Sequence, residues 1–132
     1  MTFEAMHNAI RSRFRTQIEG PLSLATLYDN QNADPPDDAV WCRLTVLNGD
    51  ARAVELGGTL DRSNGVMTAQ LFGPIGLGDA SLLRIADRIA AAFKRAAADG
   101  VRFQVPYVNN LGRNHNNWQI NVVCPYVVDH TS

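Results

Sequence analysis

The stretch from residue 40 to residue 72 constrains the fold more than any other part of the chain. Apolar side chains alternate with more polar ones in Val40–Leu47 and again in Val66–Phe72, which is the period-two pattern of a strand with one buried face. Asn-Gly sequences occur within residues 48–50 and 63–65, and Asn-Gly beside alternating runs is a strong signal for a hairpin turn. The pattern therefore predicts an antiparallel meander of three strands: Val40–Leu47, Ala51–Leu56 and Val66–Phe72.

Segments with helical spacing lie on either side of this meander. Thr2 is a predicted N-cap, and apolar side chains recur every three or four residues over residues 3–18. This spacing predicts an amphipathic helix that ends near Gly20. A second apolar stripe predicts a helix over Ala80–Ala98, where Gly100 is placed to stop it.

The other apolar runs predict three further strands: Leu22–Tyr28, Val101–Tyr107 and Trp118–Tyr126. Pro106 and Pro125 indicate that the last two lie near a sheet edge, because proline cannot donate a ladder hydrogen bond. Asn109–Asn117 between them is polar and is predicted to be a loop. The predicted order is α-β-β-β-β-α-β-β.

That order predicts the α+β class, with a mostly antiparallel sheet and two helices packed on one of its faces. The length of 132 residues predicts one domain over residues 1–132. A domain of this size can bury a hydrophobic core without needing a disulfide or a bound metal for stability. Cys42 and Cys124 lie far apart in predicted strands, so free buried thiols are expected. No apolar run is long enough to span a bilayer.

The charge is small in total but unevenly distributed. The net charge of −1 argues against a general nucleic-acid binder. Residues 29–61 carry a net −5 and residues 62–132 a net +3. Such a chain can pair head to tail with copies of itself, and an ordinary solvated surface is the alternative.

A search for catalytic or metal-binding motifs finds none. His7, His115 and His130 have no second ligand at metal spacing. The acidic loop over residues 29–39, which contains Asp34, Asp37 and Asp38, lacks the ligand pattern of a calcium loop. We therefore predict no metal, no cofactor and no enzymatic activity.

The turn Gly73–Ser81 contains Gly76-x-Gly78-x-x-Ser81, a degenerate dinucleotide fingerprint. Serine occupies the third position, and the preceding strand belongs to an antiparallel pattern rather than a βαβ unit. A chain turn with a capped helix is the favoured interpretation. A small-ligand or nucleotide-binding domain is the less favoured alternative.

The remaining candidates are contact residues. Trp41 and Arg43 lie on the strand face opposite the predicted core, and both types are common at interface hot spots. Covering of a sheet edge is the alternative role for Trp41. The acidic loop and a second loop around Arg113 and His115 flank strands with predicted free edges, which can pair with another chain. We predict interface roles for Trp41, Arg43, Asp34, Asp37, Asp38, Arg113 and His115.

Several motifs occur in an order and spacing that carry a family resemblance. They are Ser12-Arg13-Phe14, Tyr28-Asp29-Asn30, Pro35-Pro36, Trp41-Cys42-Arg43-Leu44-Thr45-Val46, Gly57-Gly58, Arg62, Gly65, Phe72-x-Pro74 and the strand Trp118–Pro125. Over residues 3–129 the chain resembles tail terminator-like proteins of long-tailed bacteriophages, prophages or gene-transfer particles.

The resemblance implies a structural role. Such proteins form a ring of about six subunits on the head-proximal end of the tail tube, stop tube growth and receive the head. The implied partners are further copies of the chain, the tail tube protein and a head-completion or connector protein, with DNA passing through the ring. The implied locations are the host cytoplasm during assembly and then the virion tail. Another ring-forming head–tail joining protein is the alternative.

Overall fold

The computed structural model describes residues 2–29, 34–36, 39–53, 60–76, 80–114 and 117–131. Helix α1 spans Phe3–Phe14 and continues through a π-helical turn, Arg15–Glu19, into the short helix α2, Gly20–Leu22. Helix α3 spans Ala80–Phe93. The Thr2 hydroxyl accepts the Ala5 amide at 3.1 Å, so the predicted N-cap is confirmed.

The described part of the chain forms a seven-stranded sheet with the order β1-β2-β3-β7-β5-β4, and β6 also pairs with β7. The strands are β1 (Ala25–Tyr28), β2 (Trp41–Ala53), β3 (Leu60–Pro74), β4 (Ala97–Ala98), β5 (Val101–Phe103), β6 (Tyr107–Asn114) and β7 (Asn117–Thr131). Strand β1 runs parallel to β2, whereas the other pairs are antiparallel. The predicted α+β class is confirmed.

The first helical segment, made of α1, the π-helical turn and α2, and the helix α3 both cover one face of the sheet, which we call the helix face. Their apolar stripes supply Met6, Ile10, Phe14 and Ile18 from the first helical segment and Leu82, Ala86, Ile89 and Phe93 from α3. These side chains pack on alternate residues of β2, β3 and β7. Arg13 ties the two helices together, because its guanidinium donates to the Ala92 carbonyl at 2.7 Å and lies over the Phe93 ring.

The predicted meander is wrong in its strand count, because the Asn-Gly sequences are not turns. Residues 48–50 and 63–65 lie inside β2 and β3, facing each other across one long hairpin. The register shifts between Asn48 and Ala51, and the Asn64 side chain accepts the Asp50 amide at 2.9 Å. A β-bulge therefore absorbs the residues that locally favour a turn. The connection between Ala53 and Leu60 lies outside the described residues.

Gly65 has a packing role in this hairpin. It lies opposite Tyr126 of β7, and an added Cβ would overlap the Leu47 carbonyl and the Tyr126 hydroxyl. The Tyr126 ring therefore passes across β3 where there is no side chain, and its hydroxyl reaches the Leu47 carbonyl on β2 at 3.3 Å. One aromatic side chain thus links three strands.

Helix α3 ends earlier than predicted, at Phe93 rather than Ala98. Arg95 and Asp99 adopt positive φ angles of 52° and 47°, which take the chain out of the helix. The Phe103 amide donates to the Ala96 carbonyl at 2.8 Å. Pairing of this segment with the following strand therefore replaces the last helical turn.

The C-terminal strands also differ from prediction. The predicted loop over residues 109–117 mostly forms β6, in register with β7, because an edge strand can expose its asparagines to water. Strand β7 is central, since β3 flanks it on one side and β6 and β5 on the other. Pro125 is accommodated because it lies between the β6-paired and β5-paired parts of β7, where its carbonyl accepts the Gln104 amide at 2.9 Å.

Candidate assembly surface

The sheet face turned away from the helices, here the open face, carries three rows of side chains across β2, β3, β7 and β6. The register defines the rows as Trp41, Phe72, Gln119 and Gly112; Arg43, Gln70, Asn121 and Asn109; and Thr45, Thr68, Val123 and Tyr107. Within a row the residues are direct cross-strand neighbours. The open face is therefore a mixed polar and aromatic surface, in contrast to the almost wholly apolar helix face.

Trp41 and Phe72 form a stacked pair at the centre of the first row. Their ring centroids lie 4.2 Å apart with 14° between the ring planes. The subunit already buries both rings, with 6% of Trp41 and 7% of Phe72 exposed. The Arg43 guanidinium lies 5.7 Å from the Trp41 ring centroid and is exposed to solvent. The predicted pair is thus one structural unit in which Trp41 supports Arg43, and Arg43 is the group available for contact.

Hydrogen bonding organises the polar rows. The Gln119 amide donates to the Asn121 side chain at 2.9 Å, and Gln119 is buried. This bond satisfies a polar group that burial alone would destabilise. Rigid polar side chains at fixed strand spacing suit a surface that docks in one orientation.

The predicted acidic loop is partly described. Asp34 is exposed, whereas Asp37 and Asp38 lie outside the described residues. Asp29 at the start of the loop has a role that the sequence did not reveal. Its carboxylate accepts the Thr45 hydroxyl at 3.1 Å and the Val46 amide at 3.2 Å, which fixes the end of β1 to β2.

Arg113 is exposed at the end of β6, and His115 lies outside the described residues. Arg113 pairs in register with Trp118, whose ring packs against the helix-face core. Arg113 and Arg43 therefore belong to opposite faces of the sheet. Among the predicted contact residues that the structure describes, Arg43 and Arg113 therefore lie in separate patches.

Sequence reasoning missed an apolar segment beside Arg113. Four of the exposed large apolar side chains among the described residues lie within seven positions of one another, at Val105, Tyr107, Val108 and Leu111. The alternation around Tyr107 predicts only the end of a strand near a sheet edge. The informative signal was the lack of any charged residue from Phe103 to Gly112.

A second missed feature is an open cleft of about 1050 Å³ between the β2–β3 hairpin and β5. Arg52, Arg62 and Arg102 line it. Asp129 pairs with Arg62 at 2.8 Å and with Arg102 at 3.0 Å. The carboxylate raises the pKa of Arg62. These ion pairs are solvent-exposed and hold β3, β5 and β7 in register rather than forming a reactive centre.

The titratable groups indicate structure rather than chemistry. Burial raises the pKa of the Cys42 thiol well above its ordinary value and that of Cys124 to about 12. Thiols shifted in this direction are poor nucleophiles at neutral pH. The described residues contain no group of three side chains suited to holding a metal ion.

The alternative ligand site at the Gly73–Ser81 turn is incompletely described, because residues 77–79 lie outside the described part. Gly73 has a structural explanation, since an added Cβ would lie 3.2 Å from the Leu82 side chain. It allows α3 to pack closely on β3. The strand before the turn is antiparallel to both neighbours, unlike the strand of a dinucleotide-binding unit.

Among the helices that the structure describes, none has the length and apolar character needed to cross a membrane.

Comparison with known proteins is informative at the level of family and fold. A family model described as phage tail terminator protein matches residues 5–126. A solved structure that carries only a sequence identifier as its name matches with a TM-score of 0.67 and 18% identity, over 96% of this chain and 97% of that chain. At that identity the likeness establishes a shared fold. The search of the curated proteins found no match.

Proposed function

Because this chain belongs to the phage tail terminator family, we propose that it assembles as a ring on the head-proximal end of the tail tube. The ring, of about six copies, ends tube growth and presents a surface for head joining. The family itself makes the chain a structural component of phage tail assembly and of the virion tail. The finer statements, the ring, its copy number and the head contact, are our proposal.

The match of the family model over residues 5–126 carries the proposal, because it includes the described helices except the first two residues of α1 and the strands except the last part of β7. Two features of the fold support it. The described helices pack on the helix face, and Arg43 is exposed on the open face above the Trp41–Phe72 stack. The strand order leaves β1 as the edge at one end of the sheet, and β4 and β6 as edges at the other.

The partners follow from this role. The ring contacts the last ring of the tail tube protein on one side and a head-completion or connector protein on the other. DNA passes through the lumen without sequence recognition. A net charge of −1 agrees with a protein that does not bind nucleic acid through non-specific contacts to the phosphate backbone.

Tube capping tests the proposal directly. Purified tail tube protein is allowed to polymerise with and without the protein, and tube length is followed by light scattering and electron microscopy. We expect growth to stop and density to appear at one tube end. Continued elongation with bare ends would contradict the proposal. Binding to isolated head connectors without tube capping would instead support the head–tail joining alternative.

A further inference from the structure

We propose that the subunits of this ring join by sheet extension, with the free edge of β6 in one copy pairing along the free edge of β1 in the next. This inference rests on the proposed ring and names the surfaces that close it. Each copy then contributes two different edges to its neighbours, β1 and β6, and each of these is used once. Such a heterologous contact generates a closed ring when the rotation between copies permits it.

The β6 edge has the composition of a covered surface but is exposed in the single subunit. Val105, Tyr107, Val108 and Leu111 are 50%, 52%, 40% and 54% exposed. Tyr107 lies opposite Val123 and Val108 opposite Val122, so apolar side chains extend on both faces of this edge. Among the described residues β6 pairs with β7 alone, which leaves the outer backbone groups of β6 open to another strand.

The first half of β6 lacks the usual protection against such pairing. Soluble proteins block exposed edges with charges, proline, β-bulges or short strands. The bulge and Arg113 lie in the second half of this eight-residue strand, whereas residues 107–110 contain no charge, proline or bulge. An edge of this length and composition is expected to have a partner strand in the assembled state.

Strand β1 is the matching edge at the other end of the sheet. No charged residue occurs from Gly20 to Tyr28, and Ala25 is exposed. The C-terminal end of β1 is fixed within the subunit. Tyr28 donates to the Glu19 carboxylate of the π-helical turn, and Asp29 accepts from Thr45 and Val46 of β2. A rigid edge loses little entropy when it accepts another strand.

The charges that follow the two edges select β1, rather than a second β6, as the partner. Arg113 is exposed at the end of β6, and Asp34 is exposed in the acidic segment after β1. Strand β1 leads into the acidic part of the chain, residues 29–61 with a net −5, and β6 lies in the basic part, residues 62–132 with a net +3. A contact between β6 and β1 therefore joins parts of opposite net charge. Pairing β6 with β6 would instead bring the basic parts of two copies together, each with its own Arg113, with no such complementarity.

Two edge variants and one control test this assignment. The β6 variant carries Val108→Lys and Leu111→Lys, and the β1 variant carries Ala25→Lys. Leu83→Lys is the control, because Leu83 is also an exposed apolar residue (37% exposed) but lies on α3. All three are compared with the wild-type protein by light scattering after size exclusion, with and without tail tubes.

We expect each edge variant to remain a folded monomer whose association is at least about tenfold weaker than that of the wild type, and the control to assemble normally. An equal mixture of the two edge variants should form a dimer and stop, because each retains one intact edge. Thermal melting checks the fold. Leu111→Lys alone, at a bulged and exposed position, provides a second variant if the double substitution unfolds.

The outcomes separate the two proposals. Rings formed by both edge variants would overturn the edge assignment while leaving the ring itself intact. Self-association of the β1 variant but not of the β6 variant would show a β6–β6 contact and overturn β1 as the partner. Failure of the wild-type protein to form rings, with or without tubes, would refute the proposed function and this contact with it.

Discussion

The helix face and the open face are made by alternate residues of the same strands, yet they are built in different ways. On β3, Met67, Ala69 and Leu71 are fully buried under the helices. Their neighbours Thr68 and Gln70 lie on the open face and remain half-buried. The difference suggests that folding depends on one face while the other is free to carry contacts with partners. Substitutions on the two faces test this separation.

The largest effect is expected on the helix face at Phe93. Its ring is fully buried and contacts Phe14 and Phe103. Phe93→Ala should lower the free energy of unfolding by about 3–5 kcal/mol, because it removes apolar burial and leaves a cavity. Urea unfolding measures the change. Leu83→Ala on the same helix is the matched control and should change it by less than about 0.5 kcal/mol.

A smaller effect is expected on the open face at Phe72. Phe72→Ala removes the stack on Trp41 and should lower the free energy of unfolding by about 2–3 kcal/mol. This is less than the loss at Phe93, because none of the described helices packs on this face. Phe72→Leu keeps apolar volume but loses the ring pair, so about 1 kcal/mol is expected. A loss equal to that of Phe93→Ala would show that the open face is a second core.

Tyr126 contributes both to the core and to polar contacts, because its ring is buried and its hydroxyl forms hydrogen bonds. Tyr126→Phe removes hydrogen bonds to Leu47 and Asn48 and should cost about 1 kcal/mol at neutral pH. Burial raises the pKa of Tyr126 from 10.0 to about 12. The folded state therefore holds this proton longer than the unfolded state, and its stabilisation is complete below pH 10 and lost as the pH rises towards 12.

Urea unfolding at pH 8 and pH 11 measures this loss. The wild-type protein should be less stable at pH 11, and part of that decline should disappear in Tyr126→Phe. Cys124, whose pKa burial raises from 9.0 to about 12, contributes in the same direction and remains in the variant. An unchanged pH dependence in Tyr126→Phe would remove Tyr126 as a source of alkaline sensitivity.

The smallest effect on stability is expected at Arg43, which is exposed above Trp41. Arg43→Glu should change the free energy of unfolding by less than about 0.5 kcal/mol but should weaken ring assembly or tube capping. Arg88→Glu on α3, also exposed, is the matched control. Equal capping by both variants would exclude Arg43 from the contact surface and weaken the separation of the two faces.

The sequence predicted the class and the core because those depend on patterns within single elements. The stripe of α3 and the alternation around Leu71 both point to the helix face, as observed. The Asn-Gly sequences misled because turn propensity is local. The bond from the Asp50 amide to Asn64 exists only when distant segments are already aligned, and no local pattern reports it.

The candidate surface was less predictable for the same reason. The exposure of Arg43 follows from its place in the alternation. The burial of Trp41 depends on Phe72, which faces it from another strand. Strand β6 was read as a loop because its asparagines are typical of loops, whereas pairing with β7 determines its conformation. Contacts between strands, rather than residue types, therefore determine the burial of Trp41 and the conformation of β6.

The positions of the two cysteines have a consequence for the particle outside its host. Cys42 and Cys124 are both fully buried, and β3 separates their strands, so they do not pair as a disulfide. Under the assembly in the host cytoplasm that the family resemblance implies, the protein passes from reducing into oxidising surroundings when the host lyses. With both thiols protonated and enclosed, the protein presents neither of them to oxidants or to neighbouring particles. Its covalent structure is therefore expected to remain the same before and after release.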